Sequence, residues 1–125
     1  MKVSSIRDLT RAEEEVMQVL WKVEKAFVKD LLDLFPDPKP AYNTVSTIVR
    51  ILEDKGFVSH KAYGKSYEYF PLVSKPEYSR FELKNLMNGY FSNSFKNLLS
   101  FMAEEENLSL QDIEEIKMIV NKKKK

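Results

Sequence analysis

The sequence predicts a mainly α protein with a small β-hairpin wing, followed by a C-terminal helical region. Three observations predict it. Apolar residues recur at helical spacing through the first 55 residues, the period shortens after Gly56, and helical spacing returns beyond residue 75.

Thr10-Arg11-Ala12-Glu13 has capping-box spacing, with the Thr hydroxyl available to the third helical N–H and Glu13 able to reach back. Glu13, Glu14 and Glu15 then sit in the first turn, where they favour the positive helix end rather than acting as catalytic carboxylates. Val16, Val19, Leu20 and Val23 share one face, so a first helix is expected over 11–23, with Trp21 as a core anchor. A shorter second helix is expected over 27–35, with Val28, Leu31, Leu32 and Phe35 inward, before the Pro36-Asp37-Pro38-Lys39-Pro40 break.

The third helix is expected over about 42–55. Val45, Ile48, Val49 and Leu52 form its packing stripe, and Lys55-Gly56 suits its end. Asn43, Ser46, Thr47, Arg50 and Asp54 fall on the other face. Phe57 and Val58 lead into a strand, Tyr63-Gly64-Lys65-Ser66 makes a turn, and 66–70 returns with alternating aromatics until Pro71. Three helices and a hairpin in this order form a winged helix-turn-helix, assigned to residues 1–74.

Leu72–Pro76 reads as a hinge, and residues 75–125 as a helical dimerisation region, with Gly89 and the polar stretch 104–107 as breaks. Leu83, Leu86, Met87 and Tyr90, then Phe95, Leu98, Leu99 and Met102, then Ile113, Ile116 and Val120 repeat at helical spacing, and Ser109 with Asp112 offers a cap. About 50 residues have too little volume for a self-sufficient core. A twofold homodimer would cover these stripes, and folding back onto the first domain is the other arrangement open to them. The Lys122–Lys125 run reads as a solvated tail that complements the last helix's negative end.

Composition excludes several function classes. The chain has no Cys and one His, so disulfides, thiolate sites, HExxH and a transition-metal centre are not expected, and no cofactor is. With three glycines there is no phosphate-cradling loop, and no nucleophile–base pair appears, so an enzyme is not expected. No apolar run approaches the roughly 18 residues of a membrane helix and no signal pattern opens the chain, which points to the cytoplasm without membrane insertion. The net charge is +1, and residues 1–74 hold 11 Lys+Arg against 11 Asp+Glu. A basic surface would therefore require segregation of charge rather than excess, and charge by itself counts against DNA.

The free face of the third helix and a hairpin bearing His60, Lys61, Tyr63 and Lys65 suit base edges and phosphates, and equally suit a solvated face. Resemblance decides between them. The order NTVSTIVRILEDKGFV, then GKSYEYFP, preceded by LTRAEEEVMQVLW, resembles the penicillinase-repressor (BlaI/MecI-type) family of bacterial winged-helix regulators over nearly the whole chain.

The resemblance implies a transcriptional repressor that covers a promoter as a homodimer on an inverted repeat of TACA-like half-sites. On that reading Asn43, Thr44, Ser46, Thr47 and Arg50 meet the major groove of double-stranded DNA, while Lys61, Tyr63, Lys65 and Ser66 in the wing meet the backbone. It also implies a membrane sensor-protease as a partner, acting at an Asn-Phe bond. The matching place reads Leu99-Ser100-Phe101-Met102, with Ser100 where those relatives have Asn. Copper-responsive members of the wider group carry C-terminal cysteines, which this chain lacks. The alternative function is a winged-helix module that binds protein without specific DNA affinity.

Overall fold

Thr10 opens α1, Arg11–Val23, as its spacing predicts. The Thr10 hydroxyl accepts from the Glu13 N–H at 3.2 Å, and the Glu13 carboxylate accepts from the Thr10 N–H at 3.0 Å. The computed structural model describes residue 6, residues 8–106 and residues 108–123, with the side chains of residues 106 and 123 outside that description. Most of the leader before Leu9 and the end of the terminal lysine run therefore lie outside the described residues.

After α1 come β1 (Ala26–Phe27), α2 (Val28–Leu32), α3 (Tyr42–Asp54), β2 (Val58–Tyr63), β3 (Ser66–Pro71), α4 (Lys75–Tyr90), α5 (Phe95–Glu106) and α6 (Leu110–Lys123). The sheet is antiparallel, in the order β1-β3-β2. The expected second helix needs correction at both ends. Phe27 is extended and pairs with Glu68 in the sheet, and α2 stops at Leu32. Leu34 and Phe35 continue only as turns, their N–H groups reaching the Leu31 and Leu32 carbonyls. Val28, Leu31 and Phe35 are buried as expected, and Leu32 is half-buried.

α3 ends as Lys55-Gly56 suggested. Gly56 has φ +85°, its N–H reaches the Glu53 carbonyl at 3.0 Å, and the Phe57 N–H reaches the Leu52 carbonyl at 2.9 Å. This is a Schellman motif, and the two residues that bracket it, Leu52 and Phe57, are both fully buried in the core. Val45 and Val49 complete the buried stripe, with Ile48 packed at its edge.

Two compact units result, Met1–Glu82 and Leu83–Lys125. The first extends past the residue-74 boundary and absorbs the hinge expected over Leu72–Pro76. Val73 is buried, and its carbonyl accepts from the Trp21 indole N–H at 2.9 Å. Ser74 and Glu77 form a capping box at the start of α4. Tyr78, buried against Trp21 and Phe57, accepts from the Leu9 N–H and donates to Glu82 at 2.6 Å. Burial and the Glu82 carboxylate raise its phenol well above the ordinary value, so it stays a neutral donor.

In the second unit α4 runs through Gly89, which does not break it. The turn comes instead at Ser92 and Asn93, with φ of 50° and 58°. Ser94 caps α5 through the Asn97 N–H, and Ser109 and Asp112 form the expected capping box on α6.

One feature of the first unit has no signature in the sequence. Glu13, 6% exposed, receives the Lys55 ammonium at 2.6 Å, so the start of α1 is tied to the end of α3. Burial alone would raise this carboxyl, but the Lys55 and Thr10 hydrogen bonds and the Lys55 charge outweigh burial and hold it below its ordinary value. A carboxyl lowered on folding stabilises above its unfolded pKa and loses that contribution as pH falls through the folded one. Glu13→Gln should cost about 2 kcal/mol at neutral pH. Urea titrations at neutral pH and at about pH 3 should show the gap closing in acid; a gap independent of pH would exclude the ionised pair as its source.

Candidate nucleic-acid interface

The stripe that packs α3 inward leaves Asn43, Thr44, Thr47 and Arg50 exposed and Ser46 half-buried, as the spacing predicts. Ala41 precedes α3 without a side-chain cap. Arg50 turns back along the helix, its guanidinium 3.4 Å from both the Ser46 carbonyl and the Ser46 hydroxyl. These long bonds only loosely tether it, and most of its donors stay uncommitted.

The wing stands beside this face. Tyr63 and Ser66 close the hairpin opposite each other, and Gly64, φ +63°, takes the left-handed turn position. Ser46 and Arg50 from α3 and Tyr63, Lys65 and Ser66 from the wing line one open concavity. Asn43, Thr44 and Thr47 lie on the exposed surface of α3 outside its lining, and Lys61 is exposed on β2, 5.4 Å over the Tyr63 ring.

His60 does not share the outward face of Lys61 and Tyr63. Alternation along β2 turns it the other way, opposite Tyr69. Its Nδ1 lies 2.9 and 3.1 Å from the Glu53 carboxylate oxygens, and its ring stacks on Tyr67 at 4.0 Å. The only histidine therefore fastens the wing to the last turn of α3.

Sequence reasoning also missed part of the lining. Phe27, Lys29 and Asp30 enter the concavity from the β1–α2 corner, and Tyr42, Tyr67 and Tyr69 add phenols. Burial raises the Tyr69 phenol, with Glu53 acting the same way and Arg50 against it, so this hydroxyl remains a neutral donor. No periodicity could flag Phe27 to Asp30, because β1 is two residues long and α2 is five.

Some cations of the first unit are engaged within the fold, and others line the concavity. Lys55 is taken up by Glu13, and Lys39 donates to the Phe35 carbonyl at 2.8 Å. Lys29, Arg50 and Lys65 line the concavity with Asp30 as its one acid among the described residues.

Fold and surface together define a winged helix-turn-helix protein whose third helix and hairpin present one polar, cation-bearing face. The sequence profile of the penicillinase repressor family matches residues 9–122, and the chain belongs to that family. It is 30% identical over 117 residues to the methicillin resistance regulatory protein MecI of Staphylococcus aureus strain N315, covering 93% of this chain and 95% of that one. The penicillinase repressor of Bacillus licheniformis is 23% identical over 123 residues, covering 98% and 96%. Among solved structures, the DNA-binding domain of the repressor BlaI matches with TM-score 0.50 and 25% identity, over 57% of this chain and 88% of that one. The hsRosR-S4 complex matches with TM-score 0.55 at 15% identity, over 86% and 97%, a likeness of fold alone. The family consists of transcriptional repressors rather than enzymes. No helix among the described residues is long and apolar enough to cross a membrane.

His60→Ala should cost about 1–2 kcal/mol, through loss of the Tyr67 stack and the Glu53 contact. It should also speed amide exchange in β2 and β3 relative to α1. Unchanged exchange would mean that the Phe27–Tyr63 ring contact, at 5.8 Å, holds the wing by itself.

Proposed function

We propose that this repressor acts as a homodimer on an inverted-repeat DNA operator, with α3 in the major groove and the wing on the backbone. The observation that carries the reading is the concavity at which Arg50 and Ser46 of α3 face Tyr63, Lys65 and Ser66 of the wing. Its donors suit base edges beside phosphates, and the exposed Asn43, Thr44 and Thr47 extend the reading surface along α3. Lys61 adds a further backbone cation from β2.

The second unit supports the homodimer. None of its described side chains is buried. Of the expected dimer contacts, Leu83, Leu86, Tyr90, Phe95, Ile113 and Val120 are exposed, and Met87, Leu98, Leu99, Met102 and Ile116 are half-buried. Apolar surface on this scale needs a cover, and a twofold copy supplies one while pairing two reading helices. We assign no sensor-protease cleavage: the Ser100–Phe101 bond lies within α5 and carries Ser where the resemblance expects Asn.

Selection from a random duplex pool should recover an inverted repeat with half-sites about one helical turn apart. Arg50→Ala should lose about 1–3 kcal/mol of base discrimination, whereas Lys65→Ala should weaken all sequences and lower the salt slope by about 0.9. No enriched sequence from folded protein would favour a protein-binding module instead. Leu83→Glu combined with Leu86→Glu should give a monomer in sedimentation equilibrium, with much weaker binding to the full repeat and unchanged binding to a single half-site. A variant that remains dimeric would locate the interface elsewhere.

A further inference from the structure

We propose that the concavity between α3 and the wing also binds a small ligand, a planar aromatic carboxylate, and that ligand and DNA exclude each other there. The exclusion rests on the DNA-binding reading above, whereas the ligand site rests on the lining of the concavity alone.

Five rings line it, those of Phe27, Tyr42, Tyr63, Tyr67 and Tyr69. Duplex DNA offers them little of like chemistry, because the base faces on which aromatic side chains stack are already stacked on one another inside the double helix. Tyr42 is 53%, Tyr63 48% and Tyr67 45% exposed. Large rings left open together, rather than scattered singly, mark a surface that a partner covers. Most of the rings are held in place beforehand. Tyr69 is buried and pairs with Ala26 of β1 and His60 of β2. Phe27 meets Tyr63 edge-on at 5.8 Å, and His60 stacks on one face of Tyr67 at 4.0 Å. Tyr42, the first residue of α3, makes no ring contact among the described residues.

Charge selects the other half of the ligand. Lys29, Arg50 and Lys65 share the lining with Asp30, and none of the three cations has an ion-pair partner among the described residues. The Arg50 guanidinium is tethered only by its two 3.4 Å bonds to Ser46, so its planar fork is available to a carboxylate. The volume, about 700 Å³, is that of a small-molecule site. A flat ring against the tyrosines with its carboxylate on Arg50 satisfies both halves of the lining at once. An aliphatic acid or a neutral arene satisfies one. Arg50 and Lys65 are also the groups that the reading above gives to DNA, so the two occupants compete for the same cations.

The probe is 2-naphthoate, with cyclohexanecarboxylate as an acid lacking the flat ring and 2-naphthamide as the flat ring lacking the charge. In calorimetry with the full chain, 2-naphthoate should bind with a Kd of about 1 mM or tighter. The alicyclic acid should bind about fivefold more weakly and the amide about tenfold more weakly. Tyr42→Ala should cost about fivefold in naphthoate affinity, and Arg50→Ala about tenfold. With the selected operator duplex, naphthoate at about ten times its Kd should raise the apparent operator Kd at least about tenfold. Cyclohexanecarboxylate at the same concentration, which adds the same ionic strength, should raise it far less.

No saturable naphthoate binding by a chain that still binds its operator would overturn the ligand site and leave the α3–wing reading standing. Equal affinity for cyclohexanecarboxylate would overturn the role of the rings, and wild-type naphthoate affinity in both Tyr42→Ala and Arg50→Ala would overturn this concavity as the seat. Naphthoate bound with operator affinity unchanged would overturn the exclusion. A folded wild-type chain that binds naphthoate but no DNA would overturn the DNA-binding reading and leave the ligand site in place.

Discussion

Phe57 is the joint on which the first unit depends. Its N–H closes the Schellman turn of α3, and its carbonyl accepts from Leu72 at 2.7 Å and Val73 at 3.3 Å, where the hairpin returns. Its ring, fully buried, meets Tyr78 of α4 edge-on at 5.6 Å. One residue therefore ends α3, starts the wing and receives the chain as it leaves β3. The buried position tolerates little change of volume, because interiors are packed to crystal density. The direction in which α3 presents its outer face follows from that fit.

The wing is held to this frame from two sides. His60 reaches α3 through Glu53, and Phe27 reaches Tyr63 from β1. β3 lies between β1 and β2, so the hairpin is not an isolated ribbon, which would be marginal in water. A surface that reads DNA gains from such restraint, since ordering a loose hairpin on binding would subtract from affinity.

The parts legible in the sequence are those governed by local rules. Thr10 with Glu13, Gly56 after Lys55, and the Gly64 turn each act over a few residues, and the Val45–Leu52 stripe acts at one period. What escaped reading depends on partners distant along the chain or on segments too short to show a period. Phe27 looked helical because β1 exists only through its pairing with β3. Glu13 looked like a first-turn acid, and its Lys55 partner lies 42 residues away. His60 looked like a wing contact because a hairpin's two faces cannot be assigned to core and solvent before its register against α3 is known. The exposed face of α3 was legible because helical period alone separates its faces, whereas Lys29 and Tyr42 join the concavity through tertiary folding.

The two units also differ in what stabilises them. The first closes a core running from Val16 to Tyr78, and its helices are held by burial. The second has well-formed helix starts at Ser94 and Ser109 and a ring contact between Phe91 and Phe101 at 5.5 Å, yet no described side chain is buried. Caps fix where a helix begins, but helices of 12 and 14 residues are marginal on local interactions alone. Their apolar faces are left open within the unit. A partner copy on those faces would make the stability of the second unit and the pairing of reading helices a single equilibrium, so that folding there and operator recognition become linked through protein concentration.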